Sequence, residues 1–92
     1  MTRQQAIVAD LLHACAHPAV AGAALFALSG PTIEKARVGA ALRRQSIGSF
    51  VADEVDRFAR AASAQDKARL ARRMRGAPAP IAAGLEAILE TS

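Results

Sequence analysis

Pro18-Ala19-Val20-Ala21-Gly22-Ala23-Ala24-Leu25-Phe26-Ala27-Leu28 is the stretch on which the reading of this chain turns. It runs from Pro18 to Leu28 without one polar side chain. A half-buried strand would alternate apolar and polar residues, and this run does not. It is also too short to cross a bilayer, which takes about 20 helical residues. Alanine, the strongest helix former, makes up nearly half of it. Pro18 suits a first helical position, where its missing N–H costs nothing. The stretch therefore predicts a helix apolar on every face, placed at the centre of the fold. Ala19, Ala23 and Ala27 give it a row of small side chains where a neighbour can approach closely. Ser29-Gly30-Pro31 is expected to end it, with Gly30 as cap and Pro31 blocking continuation.

Similar readings extend outward in both directions. Upstream, residues 2–16 place Ile7, Leu11 and Cys15 in one i,i+4 row with Val8 and Leu12 beside it, and Thr2 with Gln5 fits a capping box. Downstream, residues 32–45 carry a weak apolar stripe through Ile33, Ala36, Val38, Ala40, Ala41 and Leu42, with Thr32 as cap. A turn at Ser46-Ile47-Gly48 leads into a helix over 49–62, in which Val51, Val55, Phe58 and Ala62 recur at helical spacing. Asp53, Glu54 and Asp56 precede Arg57 and Arg60 there, the order that suits a helix dipole. Ser63 and Asp66 open a helix over 64–75, which Gly76 closes. After Ala77-Pro78-Ala79-Pro80, residues 81–90 place Ile81, Leu85, Ile88 and Leu89 on one side. The expectation is a single all-α domain over 1–92, a compact bundle of five or six short helices.

Composition narrows the function classes. Of 92 residues, 24 are alanine, 23 are larger apolar residues and one is cysteine. A chain of this size buries only about two-thirds of its unfolded surface, and alanine adds little transfer energy. Self-association or a bound partner would supply the missing burial. A lone Cys15 excludes a disulfide scaffold. The net charge of +4, from 12 basic and 8 acidic residues, is a moderate bias that fits nucleic acid or an acidic protein surface. The start of the chain, Met1-Thr2-Arg3-Gln4-Gln5, does not read as a leader segment, so the cytoplasm is the expected compartment.

The sharpest candidate site is Lys67-Ala68-Arg69-Leu70-Ala71-Arg72-Arg73-Met74-Arg75, which holds five positive charges and no acid. At about 100° per residue, Leu70, Ala71 and Met74 share one arc and Arg69, Arg72, Arg73 and Arg75 the opposite one. Such a face can pair with phosphates or with an acidic protein. Arg43 and Arg44 are further candidates for the same surface. His13, Cys15 and His17 suggest a metal cluster, but Cys15 points away from the two histidines on a helix, and a structural zinc site wants four ligands. The reading is an exposed polar face over a buried thiol, with no metal and no cofactor. No phosphate loop, nucleophile elbow or zinc-protease signature is present, so no catalytic residue is assigned and an enzyme is not expected.

Arg43-Arg44-Gln45-Ser46-Ile47-Gly48-Ser49-Phe50-Val51-Ala52-Asp53-Glu54 resembles the turn and second helix of ribbon–helix–helix antitoxins, the likeness extending over about 33–62. The resemblance implies a DNA-reading strand ahead of Pro31 and a core completed by dimerisation. No such strand is evident in the sequence, where Ala24 to Leu28 is apolar on both faces and lacks residues that would read base edges. Two functions compete. One is a non-catalytic protein-interaction module of the adaptor, inhibitor or chaperone type, acting on a macromolecular partner. The other is a dimeric nucleic-acid-binding regulator or antitoxin-like protein that uses residues 67–75. Protein interaction ranks slightly ahead, because eight interleaved acids make a modest footprint for a nucleic-acid binder.

Overall fold

The computed structural model describes residues 3–91, with side chains from Ala6 onward. Helix propensity and caps divide the chain into α1 (Arg3–Ala14), α2 (Pro18–Ala24), a 3₁₀ turn (Leu25–Ala27), α3 (Gly30–Leu42), α4 (Ile47–Ala61), α5 (Ala64–Arg75) and α6 (Pro80–Glu90). No strand occurs among the described residues. The all-α bundle expected from the sequence is the architecture found. The Thr2–Gln5 capping box lies outside the described residues.

Local chemistry sets each boundary. Ser46 accepts from the Ser49 N–H and caps α4. Ser63 and Asp66 form a reciprocal capping box on α5, so two amides with no helical partner are satisfied. Ser29, not Thr32, precedes α3, and Gly30 and Pro31 are its first residues rather than the stop of the segment before. Proline tolerates the first turn of a helix, and this accounts for the one-sided expectation at Gly30-Pro31. α3 ends in a Schellman motif. The Gln45 N–H donates to Ala40 O at 2.9 Å and the Arg44 N–H to Ala41 O at 3.2 Å, with Arg44 in the left-handed region at φ 55°.

The core runs through α6. Leu85, Ile88 and Leu89 are buried there against Val8 and Leu11 of α1, Val51 and Val55 of α4, and Leu70 and Met74 of α5. α6 packs on α1, α3, α4 and α5. Gly84 is what lets the helices close. A Cβ at that position would lie 2.6 Å from Leu11 Cδ2 and 2.7 Å from Met74 Sδ. The radius of gyration, 12.2 Å, is that of a compact chain of this length, about 12 Å.

The apolar stretch 18–28 is not at the centre. Only Ala21, Leu25 and Leu28 of it are buried, while Phe26 is 92% exposed and Val20 43%. The Ala19–Ala23–Ala27 row faces outward, and the close approach runs through Gly22 instead. Gly22 meets Gly48 of α4, and a Cβ on Gly48 would strike the Pro18 carbonyl oxygen. Gly48 therefore lies inside α4 rather than in the turn before it, and what it supplies is clearance. The neighbouring stripe on α3 is likewise thinner than expected. Ala36 and Ala40 are buried and Gly39 receives the Phe50 ring, whereas Val38 is 47% and Leu42 80% exposed.

Candidate functional site

Consecutive helices usually pack on each other, but α4 and α5 barely touch and diverge from the Ala62-Ser63 corner. The C-terminal end of α6 lies between them. The result is a groove of about 610 Å³ with an apolar floor of Phe58, Leu70, Ala87 and Ile88. Arg57, Arg69 and Arg73 rise from its walls beside Glu54, Asp66 and Glu90. The spacing on α4 (Glu54, Arg57, Phe58, Ala61) and on α5 (Asp66, Arg69, Leu70, Arg73) is i, i+3, i+4, i+7, so one face of each helix lines the groove.

The charges of this groove are matched within the chain. Arg73 grips Glu90 with two bonds, Nη1 to Oε2 at 2.7 Å and Nη2 to Oε1 at 2.9 Å. That bidentate contact holds the Glu90 carboxyl below the usual carboxylate range and raises Arg73. Arg69 lies 3.9 Å from Asp66. Glu54 is buried at 5% exposure, whereas nothing in the run Asp53, Glu54, Asp56 marks one of the three acids for burial. Its Oε1 sits 2.9 Å from Arg43 and 3.4 Å from Arg57, yet receives no hydrogen bond of good geometry. Arg43 also covers the Phe50 ring, 5.1 Å from its centroid. Gln45 donates to Asp53 at 2.6 Å, at the same corner.

The candidate basic residues are thus divided by the fold. Leu70, Ala71 and Met74 are buried and Arg69, Arg72, Arg73 and Arg75 are exposed, so the two arcs of α5 fall as the spacing predicts. Arg69 and Arg73 line the groove, and Arg43 reaches its wall through Glu54. Arg72, Arg75 and Arg44 face solvent elsewhere, and Lys67 is half-buried beside the Leu70–Met74 stripe. His13 and His17 are exposed and meet edge to face, 6.0 Å between ring centroids, while Cys15 is buried and burial pushes its thiol up. No metal-holding group of three occurs among the described residues.

Two apolar surfaces join the groove as candidates. One is on α2 and the 3₁₀ turn, where Ala19, Val20, Ala23, Phe26 and Ala27 are exposed with no charge between His17 and Ser29. The other is the outward side of α3, with Val38, Ala41 and Leu42. Both α2 and α3 pack on α4, through Gly48 and Phe50 respectively, so the two surfaces lie on different flanks of it. The sequence reading assigns both to the interior, as a central helix and an apolar stripe, although both segments carry apolar residues on more sides than one neighbour can cover. No single helix among the described residues is long and apolar enough to cross a membrane. No family model matches the sequence, and neither a curated protein nor a solved structure matches it at a significant level.

Proposed function

We propose that the protein is a small, cytoplasmic, non-catalytic interaction module that docks on another protein through the charge-free face of α2 and the 3₁₀ turn. One observation carries the reading. Phe26 stands 92% exposed at the end of a surface that offers no charged or polar side chain from Pro18 to Leu28. Covering a phenylalanine is worth about 1.5–3 kcal/mol, so an uncovered one in a chain with little core is a strong anchor for a partner. No cofactor, metal, membrane or small-molecule substrate takes part in this function.

A second reading, nucleic-acid binding, draws on the outward fan of Arg69, Arg72, Arg73 and Arg75, with Lys67, Arg43 and Arg44. The ribbon–helix–helix resemblance of residues 33–62 belongs with it. It ranks second because Arg43, Arg69 and Arg73 each lie against an acid of their own chain, and phosphate would have to displace it. The test sets a pull-down beside a DNA titration at several salt concentrations. The first reading expects one protein retained by the wild type and lost with Phe26→Asp, and only weak, sequence-independent DNA binding. Tight DNA binding that collapses when Arg69, Arg72, Arg73 and Arg75 are replaced, and is indifferent to Phe26→Asp, would reverse the ranking.

A further inference from the structure

The groove between α4 and α5 has an apolar floor and a charged rim, and the charges of the rim do not balance. Glu54, Asp66 and Glu90 line it with Arg57, Arg69 and Arg73. Arg43 stands behind Glu54, 2.9 Å from its Oε1. Four arginines thus meet three acids, which leaves one positive charge over. Lys35 and Glu86 act on Glu90 and Arg73 from outside the lining, carry opposite signs and leave that excess unchanged. The acids are committed. Asp66 accepts from the Ser63 N–H in the capping box, Glu90 is held at both oxygens by Arg73, and Glu54 is buried against Arg43. Two of the arginines are not. Arg57 lies 3.4 Å from Glu54 Oε1 without a hydrogen bond of good geometry, and Arg69 lies 3.9 Å from Asp66. Both are exposed, one on each wall.

We infer that this groove is a binding site for a small amphiphilic monoanion, an aliphatic carboxylate, whose chain lies on Phe58, Leu70, Ala87 and Ile88 and whose head is held by Arg57 and Arg69. Charge selects this occupant. A single negative charge neutralises the excess, and guanidinium groups meet a carboxylate through paired N–H···O bonds. A polyanion would face three acids on the same rim, and a cation would find every acid already engaged. Turning the two arginines to the ligand costs little. Glu54 keeps Arg43 when Arg57 moves, so no buried carboxylate is left bare. Asp66 keeps its bond to the Ser63 N–H when Arg69 moves. The volume of about 610 Å³ falls within the roughly 300–1,000 Å³ of small-molecule sites, and an apolar lining with a few convergent polar groups is their usual make-up. The lining runs from Glu54 to Thr91, apart from α2, so this inference is independent of the partner surface proposed there.

An NMR titration of the backbone amides with octanoate, kept below its micelle concentration, reads this on the intact chain. The shifts should saturate and cluster over residues 54–73 and 87–91. Octan-1-ol and octyltrimethylammonium, of the same chain length, should bind about tenfold more weakly or worse. Replacing both exposed arginines, Arg57→Gln with Arg69→Gln, should weaken octanoate binding by about tenfold or more, with helical content by circular dichroism unchanged. Phe26→Asp should leave it intact. Absence of saturable shifts in the groove would overturn the inference. So would a neutral or cationic probe bound as tightly as octanoate, binding indifferent to the double arginine replacement, or binding lost with Phe26→Asp. Shifts along the groove that arise on concentrating the protein alone would make a second copy its occupant and overturn it too.

Discussion

Replacing Gly48 by alanine sets two effects of known size against each other. Alanine in a helix is favoured over glycine by about 1 kcal/mol, so propensity alone would stabilise α4. The structure opposes this. A Cβ on Gly48 would overlap the Pro18 carbonyl oxygen and lie 3.6 Å from the Gly22 Cα. Both obstacles are backbone, so no side chain can swing aside. Relief requires α2 to back away by roughly 1 Å, which forfeits up to half of each dispersion contact along the seam. Overpacking costs about 1–3 kcal/mol, and obstacles that are backbone put this one in the upper part of that range, about 2–3 kcal/mol before the propensity gain is subtracted. The net expectation is a loss of about 1–2 kcal/mol, and a fall in Tm of about 4–8 °C per kcal/mol lost for a domain of this size. Thermal and urea unfolding followed by circular dichroism at constant pH measure it. Gly30→Ala is the control, because no atom lies within 4 Å of its missing Cβ. That substitution should be neutral or stabilising. A Gly48→Ala protein as stable as the wild type would refute the close α2–α4 contact.

Arg44→Gly should raise stability by about 0.5–1 kcal/mol in urea unfolding, because φ 55° costs an arginine what glycine does not lose. Glu54→Met should be close to neutral: a buried carboxylate with poor hydrogen-bond geometry is exchanged for apolar volume, and Arg43 and Arg57, 40% and 60% exposed, can turn to water. A loss above about 3 kcal/mol would show instead that the Glu54 charge is integral to the fold. The Arg73–Glu90 pair should give a coupling of about 0.2–1 kcal/mol in a double-mutant cycle at neutral pH, the size of exposed pairs. Its carboxyl titrates lower folded than unfolded, so the contribution is full above the unfolded carboxylate range near pH 4.3 and disappears as pH falls through the lower folded value. The Cys15 thiol, buried and pushed up, should react with Ellman's reagent only as fast as the protein opens; immediate reaction would place it at the surface.

Some parts of this molecule are legible in its sequence because several signals agree there. At α5, a Ser63–Asp66 capping box, an apolar arc of Leu70, Ala71 and Met74 and a closing Gly76 all specify the same helix, and it forms over Ala64–Arg75. α6 is equally plain, since Leu85, Ile88 and Leu89 leave little doubt which side is covered. The stretch 18–28 is not legible in this way. A helix without polar residues reads the same whether it is enclosed by its own chain or left for another surface, and periodicity does not distinguish the two. The glycines mislead for a related reason. Gly48 suits a turn, and only the position of Pro18, brought near by the tertiary fold, shows that it is there for clearance. In the groove, the outward arc of arginines is readable from α5 alone. That Arg73 is matched by Glu90 and Arg43 by Glu54 depends on how one helix packs on the next, beyond the reach of i,i+3 and i,i+4 spacing, and local charge patterns carry no trace of it.

The seam of Gly22 on Gly48 has a kinetic consequence. Apart from the 3₁₀ turn that continues it, α2 is held substantially by α4 alone, whereas α6 is gripped from four sides. Hydrogen exchange should therefore find two classes of amide. Those of α6 exchange only through global unfolding, while those of α2 exchange through a smaller local opening in which the segment lifts away as a unit. Phe26 rides on that segment. A ligand that covers it favours the closed form and should slow α2 exchange more than exchange anywhere else.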